Sequence, residues 1–178
     1  MRSQEPLSET QDLYGAFPRL SDQQLALLAE HGERRRTRTD EVLFREGDRS
    51  YDFFVVLEGK VAIVESYGAD PRLIAVHGPR RFLGELSLLT GEGSYYTAVA
   101  VNEGEVLAVP ASRLRELVAR DQGIGDLILR AYLIRRSILI GLGAGLRSIR
   151  TGGSIWTAIP GPRRCSRSSA WRRRTPRS

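Results

Sequence analysis

The chain has 178 residues, enough for one well-buried domain with a remainder. Its formal net charge of +6 is unevenly spread: residues 1–150 hold 20 Lys and Arg against 21 Asp and Glu, while residues 151–178 hold seven Arg and no acid. The larger part is thus close to neutral, which removes the electrostatic argument for a DNA-binding surface there. A single cysteine, Cys165, excludes an internal disulfide framework and a cysteine-based metal site. It fits a reducing compartment, so the expected location is the cytoplasm. Glu5, Glu9 and Asp12, with no apolar segment between them, argue against a signal peptide. The most apolar region, residues 124–146, is interrupted by Asp126, Arg130, Arg135 and Arg136, so no membrane span is expected.

Residues 1–19 are polar with scattered apolar positions and read as a flexible N-terminal arm. Ser21 then opens a helix. Ser21 and Gln24 stand at capping-box spacing, and Leu20 and Leu25 at the two positions of a hydrophobic staple. The helix ends near Gly32, which leaves His31 as a surface residue at its C-terminus. From Glu33 the pattern changes to period two: Arg34, Arg36 and Arg38 alternate with Arg35 and Thr37, followed by Val42 to Arg45. With Glu33, Asp40 and Glu41 beside them, these arginines read as a solvated strand face rather than a phosphate stripe.

A turn at Gly47-Asp48 precedes the apolar run from Phe53 to Leu57, a buried strand. Glu58-Gly59 leads directly into Lys60 to Glu65, and the spacing predicts a hairpin. Further turns at Gly68, Asp70 and Pro71 and at His77-Gly78-Pro79 bound a strand over Leu73 to Val76. His77 falls in the turn, with no second metal-ligating side chain nearby in sequence. Thr97 to Val101 and Val106 to Val109 complete about eight short strands, a pattern that points to a double-sheet roll. Beyond Pro110, Leu114, Leu117 and Val118 mark one helix. Asp121 or Gly123 breaks to a second, in which Ile124, Leu127, Ile128, Ala131, Ile134 and Ile138 recur at helical spacing. Leu129, Leu133 and Ile140 add a second apolar face, so the stretch 124–140 is expected to pack on its own domain and on a homodimer partner. Gly141, Gly143 and Gly145 weaken the helix thereafter. Their GxGxG spacing, with no strand before it, is not a dinucleotide fingerprint.

The stretch 82–101, FLGELSLLTGEGSYYTAVAV, lies where the strands give way to the last strand pair and the helices. A Gly84-Glu85-Leu86 turn feeding a short helix presents unpaired backbone N–H groups and a positive dipole end, a cradle for an anion. Taken together, the leading helix, the eight strands, the LEGKV corner at 57–61, FLGELSLLTG and the two final helices resemble the cyclic nucleotide-binding domain family over residues 20–150. The resemblance implies a mainly β fold with flanking helices: an eight-stranded double-sheet β-roll (jelly roll, CAP/CRP-like) with one N-terminal and two C-terminal helices. It also identifies FLGELSLL as the family's phosphate-binding cassette. Glu85 then matches the carboxylate that accepts the ribose 2′-hydroxyl, with Phe82, Gly84, Leu86 and Ser87 around it and Ser94, Tyr95, Tyr96 and Thr97 completing the ligand contacts.

Two readings of Glu85 stand side by side: ligand contact, and a carboxylate stabilising its own helix N-terminus. The family's phosphate-binding Arg, nine or ten positions past that Glu, corresponds to Ser94 or Tyr95 here. Arg suits that place because its planar fork makes two charge-assisted bonds to one phosphate. A hydrogen bond to a charged group contributes about 1.5–3 kcal/mol, so its loss weakens cyclic nucleotide binding by about ten- to a hundredfold. Tyr95 and Tyr96 can donate hydroxyl bonds, stack on a ligand, or fill the pocket.

The expected function is therefore a regulatory cyclic nucleotide-binding-like domain. It binds a cyclic nucleotide weakly, or another small anionic ligand, and relays occupancy through its C-terminal helix. No metal or other cofactor, no specific nucleic acid and no membrane are expected as partners. The alternative is a ligand-free dimerisation module left from a truncated flavin-dependent oxidoreductase. GELSLLTG, YYTAVAV and GEVLAVP are similar to the sensor domains fused ahead of thioredoxin reductase-like flavoproteins. Residues 151–178 lack any period and read as a disordered basic tail, and their abrupt shift to Arg, Ser and Pro suggests out-of-frame translation after about Arg150. An enzyme is not expected, because no nucleophile–base pair is discernible around His31 or His77.

Overall fold

The computed structural model describes residues 7–67, 71–88 and 90–145; the tail 151–178 lies outside them. After helix α1 (Asp22–Ala29) come the strands β1 (Glu33–Thr37), β2 (Val42–Phe44), β3 (Phe53–Glu58), β4 (Val61–Glu65), β5 (Arg72–His77) and β6 (Phe82–Leu83). The short helix α2 (Glu85–Leu88) follows, then β7 (Thr97–Ala100), β8 (Gly104–Val109), α3 (Ala111–Arg120) and α4 (Gln122–Gly145). Two antiparallel four-stranded sheets, β1-β8-β3-β6 and β2-β7-β4-β5, form the expected roll.

The predicted capping box is present: Ser21 Oγ accepts from Gln24 N at 3.2 Å, and Gln24 Oε1 accepts from Ser21 N at 2.9 Å. The arginines of β1 lie on an exposed face, with Arg34 3.6 Å from Glu105 and Arg35 3.4 Å from Glu41.

The expected hairpin over residues 53–65 is not formed. β3 pairs with β8 and β6, whereas β4 pairs with β5 and β7, so the chain changes sheets at Gly59. Gly59 has φ +81°, and a Cβ there would stand 2.9 Å from the Glu103 carbonyl oxygen. The short Gly-led turn is thus a corner between sheets, where the segment before β8 passes close against the backbone. Sequence periodicity registers a turn between two strands but not whether they share a ladder.

β3 explains how the core is divided. Phe53 and Val55 pack with Leu20, Leu28, Leu114, Leu117, Ile124 and Ile128 under the helices. Phe54 and Val56 point the opposite way, into the roll with Phe44, Val61, Ile63, Leu83 and Val106. The alternation of side chains across a strand therefore buries both faces, which accounts for an unbroken apolar run. β6 repeats the division, with Phe82 on the helix side and Leu83 inside the roll.

α3 ends at Asp121, whose carboxylate accepts the Ile124 N–H at 2.8 Å and so caps α4. α4 continues through Gly141 and Gly143 to Gly145, beyond the point where glycine content suggested weakening. Among the described residues no helix is long and apolar enough to cross a membrane.

Residues 7–19, the described part of the expected flexible arm 1–19, make specific contacts with the roll together with Leu20. Thr10 N donates to Val76 O at 3.0 Å, and Val76 N donates to Thr10 Oγ1 at 2.8 Å. Thr10 O and the Glu9 carboxylate face the buried Arg81. Burial lowers the Arg81 pKa and the Glu9 carboxylate opposes that shift. Ala16 and Leu20 are fully buried, so this segment closes the roll beside α4.

Candidate functional site

Gly84 turns the chain from β6 into α2 with φ +98°, and a Cβ there would meet the Asp52 carbonyl oxygen at 3.1 Å and the Tyr51 ring at 3.3 Å. This left-handed turn against β3 aims Glu85 inward, and the residue is only 1% exposed. Glu85 Oε1 accepts a 2.5 Å hydrogen bond from Arg135 Nη1 of α4. The guanidinium also donates from Nε to Ala16 O at 2.6 Å and from Nη2 to Phe82 O at 3.2 Å. It lies over the rings of Phe17 and Phe82, 5.1 and 4.8 Å from their centroids. Arg135 thus ties the N-terminal segment, the cassette turn and α4 together. Glu85 Oε2 has no hydrogen-bond partner.

A cavity of about 240 Å³ adjoins this pair. Its apolar walls include Phe17, Phe44, Tyr51, Ile63, Ile74 and Leu83, and Glu85, His77, Ser94 and Arg135 are its buried polar contributors. Gly84, Leu86, Tyr95 and Tyr96 also line it. The two tyrosines do not plug it: Tyr95 is 49% exposed, and Tyr96 is half-buried, with its phenol pKa raised by burial and then by Glu65.

Ser94 Oγ donates to Tyr96 O at 2.7 Å, and the Tyr95 hydroxyl donates to the Glu92 carboxylate. Phe82 and Thr97 do not line the cavity. Phe82 lies in the helix-side core, and Thr97 Oγ1 accepts from Glu46 N at 3.1 Å. Ser87 lies in α2, and its side chain is outside the described set.

His77, read from sequence as a turn residue, ends β5 instead. It is 2% exposed, with its ring edge-on to Phe17 at 5.5 Å. Burial, then the charges of Arg135 and Arg81, hold its pKa well below the ordinary histidine value. Its Nδ1 has no partner. No group of His, Cys, Asp or Glu among the described residues could hold a metal ion.

Sequence reasoning missed Arg135, which it took only as an interruption of an apolar helix. A usable signal was present: Ile124, Ile128, Ala131 and Arg135 follow one another at spacings that keep all four on one helix face, and the first three are completely buried. A cation on a buried stripe calls for a buried anion.

A closed pair of antiparallel sheets, a glycine-led turn into the interior and a long helix seated against that turn define a β-roll of the CAP type. Residues 34–121 match the family model for the cyclic nucleotide-binding domain, and this segment is a cyclic nucleotide-binding domain with CAP/CRP homologues. The Cyclic AMP receptor protein of Thermus thermophilus is 31% identical over 94 residues, 52% of this chain and 44% of that protein. The crystal structure of Thermus thermophilus Catabolite Activator Protein aligns with a TM-score of 0.59 and 28% identity, over 70% of this chain and 59% of that one. Lysophospholipase NTE1 of Cryptococcus neoformans is 26% identical over 72 residues, 40% of this chain but 4% of that protein. The matches thus span less than half of the curated relatives.

Proposed function

We propose that the chain is a non-catalytic sensor. A small ligand in the roll engages Glu85, competes with Arg135 for that carboxylate and changes the seating of α4, which passes occupancy on to a partner. The observation that carries this reading is the Glu85–Arg135 bond, a direct link between cassette and helix across 50 positions of sequence. A ligand can shift such an equilibrium only through different affinities for the two arrangements, and competition for one carboxylate supplies that difference. A cyclic nucleotide would direct its ribose hydroxyl to Glu85, with Gly84, Leu86, Ser87, Ser94, Tyr95 and Tyr96 nearby. It would bind weakly, because neither Ser94 nor Tyr95 carries the phosphate-pairing charge. The single cysteine supports a cytoplasmic setting.

The outer face of α4, where Leu129 is 49% and Leu133 54% exposed, supports a homodimer through the stretch 124–140. The unplugged cavity argues against a purely ligand-free remnant of a flavoprotein.

Hydrogen exchange of α4 tests the relay. Arg135→Met should accelerate exchange of amides around Leu127 to Ile138 at least tenfold relative to those of β8. Calorimetric titration with cAMP and cGMP should give dissociation constants no tighter than micromolar. Unchanged α4 protection in the variant would sink the relay.

A further inference from the structure

The cavity beside Glu85 is chemically unlike a site for an anion. Its charged lining groups, Glu85 and Arg135, form an ion pair 2.5 Å apart, and Arg135 is further engaged by two backbone carbonyls. His77 is held neutral by burial and by the neighbouring Arg135 and Arg81, so it offers an anion no charge. Two of the hydroxyl donors at the phosphate end are already engaged, Ser94 with the Tyr96 carbonyl and Tyr95 with Glu92, which leaves the uncharged Tyr96 phenol on that side. A phosphate placed there would lose its hydration opposite a carboxylate and gain no cation, an arrangement that costs several kcal/mol.

What the cavity does offer is apolar wall and unsatisfied acceptor capacity. Rings and aliphatic side chains from four strands and the N-terminal segment line a cavity of about 240 Å³. An apolar cavity of about 150 Å³ already admits benzene. Glu85 lines this cavity and its Oε2 is buried without a partner, and a carboxylate oxygen beside a guanidinium is an acceptor. An unpartnered buried oxygen of this kind is costly until a donor reaches it.

We infer that the ligand of this roll is an uncharged, largely aromatic molecule of about two fused rings with one hydrogen-bond donor directed at Glu85. The inference rests on the sensor reading and names its ligand class. The donor on Glu85 weakens the hold of that carboxylate on Arg135, which couples an apolar ligand to α4.

The test uses 2-naphthol, 2-methoxynaphthalene, 2-naphthyl phosphate and cAMP in fluorescence or calorimetric titrations of the full chain, with α4 hydrogen exchange at saturation. 2-Naphthol should bind saturably, one per chain, at least tenfold tighter than 2-naphthyl phosphate or cAMP and at least threefold tighter than 2-methoxynaphthalene. Ile74→Trp, which fills the cavity from β5, should weaken 2-naphthol at least tenfold. Ile63→Phe serves if the first variant does not give a cooperative melt.

Tighter binding of either phosphate, or binding of 2-naphthol unaffected by the filling substitutions, overturns the ligand class. If cAMP binds tighter and accelerates α4 exchange, the sensor reading survives and the ligand class falls. If 2-naphthol binds as expected but leaves α4 unchanged, the ligand class stands and the relay falls. Binding of none of the four removes both.

Discussion

Truncating Arg135 to methionine removes one ion pair, two further hydrogen bonds and two ring contacts from a site where Arg135 is 6% and Glu85 1% exposed. Breaking a buried pair by deleting one partner costs about 3–5 kcal/mol, mainly because the other charge stays buried and uncompensated. That is a large share of the roughly 5–15 kcal/mol that holds a domain folded. Part of the loss has nothing to do with Glu85, since Ala16 O and Phe82 O also lose their donor. A double-mutant cycle separates the two contributions. Arg135→Met alone should lose about 3–5 kcal/mol and Glu85→Leu alone a comparable amount, whereas the double variant should lose about 2–3 kcal/mol less than their sum. The stranded carbonyls are common to the single and double arginine variants, so they cancel from the coupling term. Urea unfolding, with slopes checked for equality, measures it. A coupling below about 0.5 kcal/mol would refute the claim that this pair joins cassette to helix, whatever its geometry.

Other consequences are open to simpler measurements. His77 is buried neutral, with its folded pKa depressed, so below about pH 6.5 the unfolded chain binds a proton that the folded chain refuses. Stability present above about pH 6.5 should therefore fall as pH drops toward the folded pKa, by up to about 1.4 kcal/mol per unit, and His77→Gln should flatten that slope in urea titrations. Gly84→Ala forces a side chain into φ +98° and against Asp52 O and Tyr51. It should cost about 1–3 kcal/mol by thermal unfolding, and a neutral result would mean that the turn relaxes freely. If α4 forms the homodimer face, Leu133→Glu should shift the sedimentation coefficient to that of a monomer without altering the circular dichroism spectrum.

Much of the architecture was legible before any coordinates. Period-two runs separated by turn residues named the strands, and the Ser21–Gln24 spacing placed the first helix, because these signals are local and each is set by the few residues around it. FLGELSLL was picked out through its resemblance to a family cassette, and the glycine at the turn was visible as a residue type, but whether Glu85 faces inward or caps its own helix was left open. The supposed hairpin at Gly59 failed because strand pairing is a long-range choice: the competition between β8 and β4 for β3 leaves no trace in the dipeptide that joins β3 to β4. His77 was misplaced by one residue, from the end of a strand into a turn. That small shift separates a solvent-facing ring from one packed against Phe17.

Local pattern was enough to specify a two-sheet roll with terminal helices, and to put a carboxylate at Glu85 and uncharged residues at Ser94 and Tyr95. What the Glu85 carboxylate meets is set by the packing of distant segments. The pairing of Glu85 with Arg135 depends on α4 lying back across β6 and on residues 7–20 supplying Ala16 O and the Phe17 ring, three segments remote in sequence. Helical periodicity put Arg135 on the buried stripe, but a charge is tolerated there only because folding brings it an anion, two carbonyls and two aromatic faces at once.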